Sequence, residues 1–192
     1  MKKINFAYTL AEVLVTIGVI GVVSAITLPS LIKNYNNYIT AQKLKKAYHT
    51  LSNGIKMAEV EYGPIKDWST DGDMREYYNK YFQPYFKGIK LCSSTYNCGY
   101  KGFDKNKWTG ANWGVETGSD RLLFKLIDGT VIFYPTRSGN TKVYYFYVDI
   151  NGIHKPNELN KDVYKFERNT NKGITLVEKG LEIMKNGWKI KD

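Results

Sequence analysis

Four side chains with oxygen ligands fall within one short stretch, residues 149–162. Asp149 and Asn151 open the stretch, and Asn157 and Asp162 lie further along it. Carboxylate and amide oxygens are the ligands that Ca²⁺ prefers, so this stretch is a candidate calcium loop. The spacing does not match an EF-hand, and asparagine and aspartate also cap ordinary turns. Two interpretations therefore stand side by side, a calcium loop and a structural turn.

Cys92 and Cys98 are the only two cysteines of the chain and lie close together in sequence. Their spacing fits a small disulfide loop in an oxidising compartment. Two cysteines alone do not complete the four-ligand set of a structural zinc site. We therefore predict a disulfide, on condition that this part of the chain is exported.

A single carboxylate lies in an apolar segment near the N-terminus. From Leu10 to Ile32 the only charged residue is Glu12, and Lys2 and Lys3 precede the segment. A helix of this length reaches roughly 34 Å, about the thickness of a bilayer core. Lysines before such a segment favour a cytoplasmic N-terminus and export of the chain beyond the segment. A carboxylate costs roughly 2.5–3.5 kcal/mol at the centre of a spanning helix and less near its end, so Glu12 indicates a function.

The apolar segment itself has three interpretations. It is a secretory signal peptide cleaved after Ala25, an uncleaved anchor, or a helix whose short leader is removed before the apolar part. An ordinary signal peptide has no use for Glu12. A subunit that assembles through this helix does, because the carboxylate can neutralise the positively charged amino terminus of a neighbouring helix.

The residues from Phe6 to Glu12, FAYTLAE, with the long apolar run behind them, resemble the N-terminal signature of type IV pilins and type II secretion pseudopilins. This resemblance implies that a prepilin peptidase cleaves between Ala7 and Tyr8 and methylates the new amino group of Tyr8. It also implies that Glu12 contacts a neighbour's N-terminus in a filament. The sequence departs from the family at Ala7, where glycine is usual.

The rest of the chain supports the same resemblance. Gly21 and Pro29 fall where the family commonly places a glycine and a proline, and Pro29 should bend or locally melt the helix. The stretch from Asp149 to Asp162 resembles a DxNG…PN…D block of pilin-like proteins. Calcium occurs in some pseudopilins.

The expected fold is α+β and pilin-like: a long N-terminal helix, membrane-spanning in its first half, packs on a small antiparallel β-sheet head. The expected segments are a leader over 1–7, a transmembrane and assembly helix over 8–33, an amphipathic helix over 34–62 and an exported β-rich head over 63–192.

Periodicity predicts the elements of the last two segments. Apolar residues recur at helical steps on one face, at Leu44, Tyr48, Leu51, Ile55, Ala58 and Tyr62. Strands are predicted over 121–127, 130–134, 142–150 and 163–167. Residues 63–120 are expected to be irregular, with a short helix or turn that packs aromatic residues from Trp68 to Phe86 around the sheet. Asp128-Gly129 between the first two strands predicts a two-residue hairpin, in which both positions need positive φ.

The 192 residues carry a net charge of +10, with lysines spread along the chain. A solvated basic surface explains this charge, and contact with an anionic partner such as DNA is the alternative, although no nucleic-acid motif is present. Motifs for phosphate binding, nucleophilic attack or metalloproteolysis are also absent, so we do not expect an enzyme.

The expected function is therefore that of a structural subunit of a type IV pilus-like or type II secretion filament. Its partners would be copies of itself or related pilins, prepilin peptidase and the inner (cytoplasmic) membrane, with the N-terminus inside. After assembly the subunit would lie in a periplasmic or extracellular filament. The alternative is an exported or membrane-anchored monomeric binding protein with an ordinary signal peptide or anchor, or a DNA-binding competence pilin.

Overall fold

A computed structural model of the chain shows two compact units, Met1–Ile39 and Thr40–Asp192. The structure describes residues 8–68, 74–93, 97–100, 121–135, 144–169 and 173–190. The predicted leader over 1–7 and residues 101–120 of the stretch that was expected to be irregular lie outside these ranges.

Helix α1 runs from Leu10 to Tyr62. Its N-terminal part is long and apolar enough to cross a membrane, and the side chains of that part are exposed. The local melting that Pro29 suggested is not found, because the helix continues through this residue. Proline removes a single backbone donor, and the hydrogen bonds of the residues before and after it are sufficient to maintain the helix.

The C-terminal part of α1 packs inside the second unit, as its apolar periodicity predicted. Its buried residues are Ala41, Leu44, Ala47, Leu51, Ser52, Gly54, Ile55 and Ala58. Tyr48 and Tyr62 of the predicted face are partly buried against the same core. Gly54 is required here, since a Cβ atom at this position would lie 2.3 Å from Cζ of Phe86.

Within the described ranges, six strands form a single antiparallel sheet, and their order in the sheet is their order in the chain. The strands are β1 Lys90–Leu91, β2 Arg121–Lys125, β3 Val131–Pro135, β4 Tyr144–Asp149, β5 Val163–Asn169 and β6 Gly173–Leu176. The helices of this unit besides α1 are α2, Met74–Tyr81, and α3, Glu178–Lys185, with 3₁₀ turns at Ile65–Asp67 and Gln83–Tyr85. The predicted α+β class, a long N-terminal helix with an antiparallel sheet, is confirmed.

The hairpin between β2 and β3 is confirmed, but the predicted turn type is wrong. The backbone of Leu126 donates to the carbonyl of Thr130 at 2.8 Å, so the connection comprises residues 127–129 rather than two residues. Gly129 has a φ of +91°, whereas Asp128 does not have a positive φ. Asp128 instead accepts a hydrogen bond from the backbone of Thr130 and closes the turn through its side chain.

Both faces of the sheet are covered. One face packs on the helices through Leu122, Phe124, Ile132, Tyr134, Phe146, Val148, Tyr164 and Phe166. The opposite face forms a smaller core with the two cysteines and Tyr100, through Leu123, Val131, Phe133, Tyr147 and Val163. Consecutive apolar residues in one strand are therefore explained, because alternate side chains enter different cores.

Candidate functional site

The N-terminus of α1 carries a capping box formed by Thr9 and Glu12. The Glu12 carboxylate accepts from the Thr9 backbone N–H at 2.8 Å and from the Thr9 hydroxyl at 2.9 Å. The Glu12 backbone N–H donates in return to the Thr9 hydroxyl at 3.2 Å. Reciprocal bonds of this kind satisfy donors that the first turn of a helix leaves without partners. Glu12 therefore has hydrogen-bond donors within its own chain.

The other residues predicted to act in processing and assembly lie around this cap and along the same helix. Tyr8 precedes the helix and is 82% exposed. Ala7 lies outside the described residues. Gly21 has open space where a side chain would be, and Pro29 is exposed within the helix. Of the predicted assembly residues Glu12, Gly21 and Pro29, Glu12 makes side-chain hydrogen bonds within the chain. Its partner, Thr9, lies three positions earlier.

The predicted disulfide between Cys92 and Cys98 is confirmed, with 5.5 Å between the two Cα atoms. Both cysteines are buried in the smaller core. The backbone N–H of Cys92 donates to the carbonyl of Leu123 at 2.9 Å, which anchors this end of the disulfide beside β2.

Asp149 and Asp162 are brought together by the connection between β4 and β5, which we call the 149–162 loop. Both side chains are buried, with exposures of 0% and 4%. Asp149 accepts from the backbone N–H groups of Asn151, at 3.1 Å, and Gly152, at 2.9 Å. The hydroxyl of Tyr100 donates to its other oxygen at 2.7 Å. Asp149 therefore links the loop to Tyr100, which lies two positions after the disulfide-bonded Cys98.

Asp162 closes the other end of the loop. Its carboxylate accepts from the backbone of Glu158 at 2.7 Å, from the backbone of Asn157 at 2.8 Å and from the side-chain amide of Asn151 at 3.1 Å. Asn157 has a φ of +53°, a conformation that asparagine tolerates better than most residues. These contacts support the structural-turn interpretation of the stretch.

Whether calcium fits the loop depends on which atom of the Asn157 side-chain amide, oxygen or nitrogen, is directed inward. With its nitrogen directed inward, the amide donates to the carbonyls of Gly152 and His154, at 2.8 and 3.2 Å, and to Asp149 at 2.9 Å. With its oxygen directed inward, four oxygens converge, which is the ligand type of Ca²⁺. The amide oxygen of Asn151 is buried and has no donor among the described residues. The residue types of the loop therefore fit a hard cation.

The acidic residues alone do not form such a site. Among the described residues, no group of three or more histidine, cysteine, aspartate or glutamate side chains is placed to hold a metal ion. A cation in the 149–162 loop would therefore depend on amide and backbone oxygens beside the two carboxylates.

Burial raises the pKa of Asp149 to about 7, and the nearby charge of Asp162 acts in the same direction. The hydrogen bonds from Tyr100 and from the loop backbone oppose this rise in the pKa. Perturbed carboxylates of this kind are typical of functional sites, and also of buried structural networks. A proton or a cation at this position would relieve the same electrostatic penalty.

Two contacts of the second unit were not predicted from the sequence. Tyr100 is separated from Asp149 by 49 residues, so no local pattern indicates their hydrogen bond. Glu59 pairs with Arg168 at 2.7 Å and also accepts from the backbone of Ile65 at 3.0 Å, which joins the end of α1 to β5. The Thr9–Glu12 box, in contrast, has a readable pattern, a threonine with glutamate three positions later.

Comparison with known proteins adds one finding. Residues 30–192 match a family of unknown function, DUF6613. Neither the curated proteins nor the solved structures contain a match. The matched region covers the whole sheet and most of α1, and it begins within the last three residues of the apolar segment. The chain therefore belongs to the family DUF6613.

Proposed function

We propose that this chain is a prepilin-like subunit, inserted in a membrane by the first part of α1 and assembled through the same helix into a filament. The supporting observation is the combination of an exposed apolar helix with one carboxylate at its N-terminal end. The family match begins at residue 30, so the support from residues 8–29 is independent of it. The proposed role is structural, not catalytic.

The capping box gives Glu12 a place in this proposal. Before assembly, the two donors of Thr9 would reduce the free-energy penalty of placing the carboxylate near a membrane. The box lies within the chain that would remain after cleavage before Tyr8. During assembly, a neighbour's terminal amine would compete with Thr9 for the carboxylate and set the stagger between helices. The proposed partners are thus copies of this chain or related pilins, and a prepilin peptidase.

The alternative is a monomeric protein that is exported or anchored through an ordinary signal or anchor segment. The capping box also gives this alternative specific support, because Glu12 already has donors and needs no second chain. The same apolar helix near the N-terminus serves an anchor or a signal sequence equally well. The position of the mature N-terminus separates the two functions.

Mass spectrometry of the mature protein, purified from cells that contain a prepilin peptidase, is the direct test. We expect a chain that begins with N-methylated Tyr8. A chain that begins at Ile26 would exclude prepilin processing, and a chain that keeps its first residues would indicate an uncleaved anchor. The matched variant Ala7→Gly restores the residue that is usual in pilins, and we expect it to increase the processed fraction.

We further propose that the 149–162 loop binds a calcium ion. The oxygens of Asp149, Gly152 and His154 converge on Asn157, where either the Asn157 amide nitrogen or a calcium ion would satisfy them, and the amide oxygen of Asn151 has no donor among the described residues. The residues that would hold the ion are Asp149, Asn151, Asn157 and Asp162, together with backbone carbonyls. Bound calcium would neutralise the buried carboxylates and order the connection between β4 and β5.

A further inference from the structure

Residues 97–100, which we call the disulfide-bonded segment, contact the 149–162 loop through Gly99 and Tyr100. The hydroxyl of Tyr100 donates to Asp149 at 2.7 Å, inside the protein. Next to it, Gly99 packs so closely on the loop that a Cβ atom at this position would lie 2.8 Å from Cγ2 of Ile153. One contact is polar and the other is steric, and both are made within two residues of Cys98.

The disulfide determines where this segment lies. Cys92 comes directly after β1, and its backbone N–H donates a hydrogen bond to the carbonyl of Leu123 in β2. The disulfide holds Cys98 with its Cα atom 5.5 Å from that of Cys92, and both sulfur-bearing side chains are buried. Gly99 and Tyr100 are the next two residues, so the covalent bond limits how far they can move from the loop.

We propose that the Cys92–Cys98 disulfide is a redox-dependent clamp on the 149–162 loop. When the bond is intact, Tyr100 and Gly99 hold Asp149 and Ile153 in place. Reduction takes two electrons and two protons from a dithiol, which closes to its own disulfide, and leaves a thiol on each cysteine. The segment then moves more freely, Asp149 loses its donor from outside the loop, and the loop opens more often.

The clamp gives export a structural consequence. Thiols remain reduced in the cytoplasm and form disulfides in oxidising compartments. The loop would therefore become fully ordered only after the second unit has crossed the membrane. This consequence rests on the proposed export, whereas the clamp itself does not. An exchange measurement on purified protein therefore tests the clamp whether or not the chain forms filaments.

Hydrogen–deuterium exchange of the full chain in detergent micelles measures the opening of the loop, before and after reduction with a dithiol. We expect amide exchange in a peptide covering the 149–162 loop to rise by about tenfold, the effect of one lost hydrogen bond. Peptides from the C-terminal part of α1 serve as controls. They should change by less than about twofold, because this part of α1 packs on the face of the sheet opposite to the disulfide.

Two variants separate the steps. The double variant Cys92→Ser/Cys98→Ser should exchange fast in the loop with or without the dithiol. Tyr100→Phe keeps the disulfide and the ring but removes the donor, and should raise loop exchange without reduction. Mass spectrometry first verifies that reduction has produced two free thiols. If loop exchange is then unchanged, the proposal is overturned. Equal acceleration in the loop and the control peptides would also overturn it, because the disulfide would then stabilise the whole unit rather than clamp the loop.

Discussion

The first turn of α1 and the 149–162 loop satisfy their carboxylates by different routes. Glu12 lies on an exposed helix, and its donors come from one residue three positions earlier. Asp149 is buried, and its donors come from the loop and from Tyr100, 49 residues away. A locally satisfied carboxylate can change partners without disturbing a fold, whereas a carboxylate held by distant groups is part of the fold. The first arrangement suits assembly and the second suits a structural or cation-binding role.

Replacement of Glu12 tests whether a locally satisfied carboxylate drives assembly, and its phenotype should be the strongest. Glu12→Ala removes the only charge from the apolar segment, so membrane insertion should be retained, or improved, since the penalty of the carboxylate disappears. Incorporation into filaments should be lost, because nothing remains to pair with a neighbour's amine. Membrane fractionation and the subunit content of sheared filaments measure the two properties separately.

The matched control for this prediction is Glu59→Ala, which removes a carboxylate from the same helix within the second unit. Glu59 pairs with Arg168, so this variant should lower the stability of that unit rather than abolish incorporation specifically. Normal incorporation of Glu12→Ala would refute the assembly role of the carboxylate. The Thr9–Glu12 box would then serve only as a helix cap.

The same contrast explains how much the sequence predicts. The apolar face of α1 has a local period, and the hairpin at Asp128-Gly129 depends on two adjacent residues. The capping box is local too, although only its glutamate was singled out from the sequence. The disulfide could be predicted because only six positions separate its cysteines, and two cysteines alone do not complete a structural zinc site.

The features that the sequence did not predict depend on pairing across the sheet. Strand β1 has only two residues, and β6 alternates over only four, too few to predict a strand, so each depends on pairing with a neighbouring strand. The pair between Glu59 and Arg168 joins residues 109 positions apart. The hydrogen bond from Tyr100 similarly joins residues 49 positions apart, which only the folded sheet brings together. Such contacts are set by strand register, which no single stretch encodes.

The second prediction concerns the buried carboxylate. The pKa of Asp149 is about 7 in the folded protein and 3.8 as its ordinary value, so the folded state holds an extra proton between these two values. Stability is therefore highest below about pH 4 for this group, and it falls as the pH rises towards about 7, by an amount on the order of 4 kcal/mol. Urea denaturation of a fragment over residues 34–192, across this range, measures the change.

Asp149→Asn is the control for the pH dependence, because it keeps the shape and carries no charge. The difference in unfolding free energy between the variant and the parent should grow in favour of the variant as the pH rises through the same window. Tyr100 and Asp162, the other titratable groups that face Asp149, remain present in both proteins. A difference that does not depend on pH would show that Asp149 stays ionised throughout.

Calcium should stabilise the 149–162 loop, by less than the change that pH produces. Near about pH 8 the Asp149 carboxylate is ionised, and a cation that binds only the folded state stabilises it by about 2.7 kcal/mol at a hundredfold excess over the Kd. Thermal melting of the fragment over 34–192, with calcium and with chelator, should therefore show a higher Tm with calcium. Asp162→Asn should remove the response. Identical melting temperatures would remove calcium from the 149–162 loop.

Substitution of Thr9 in the capping box should have the mildest consequence. Thr9→Val removes the hydroxyl that Glu12 both accepts from and donates to, while the backbone N–H of residue 9 remains. Loss of an N-cap side chain destabilises a helix end by about 1 kcal/mol, so amide exchange at the first turn should rise about fivefold in micelles. Thr9→Ser keeps the hydroxyl and should behave as the parent. Filament incorporation should fall less than in Glu12→Ala, since the carboxylate that pairs with a neighbour is still present. A loss as complete as in Glu12→Ala would mean that Thr9 positions the carboxylate and does not merely cap the helix.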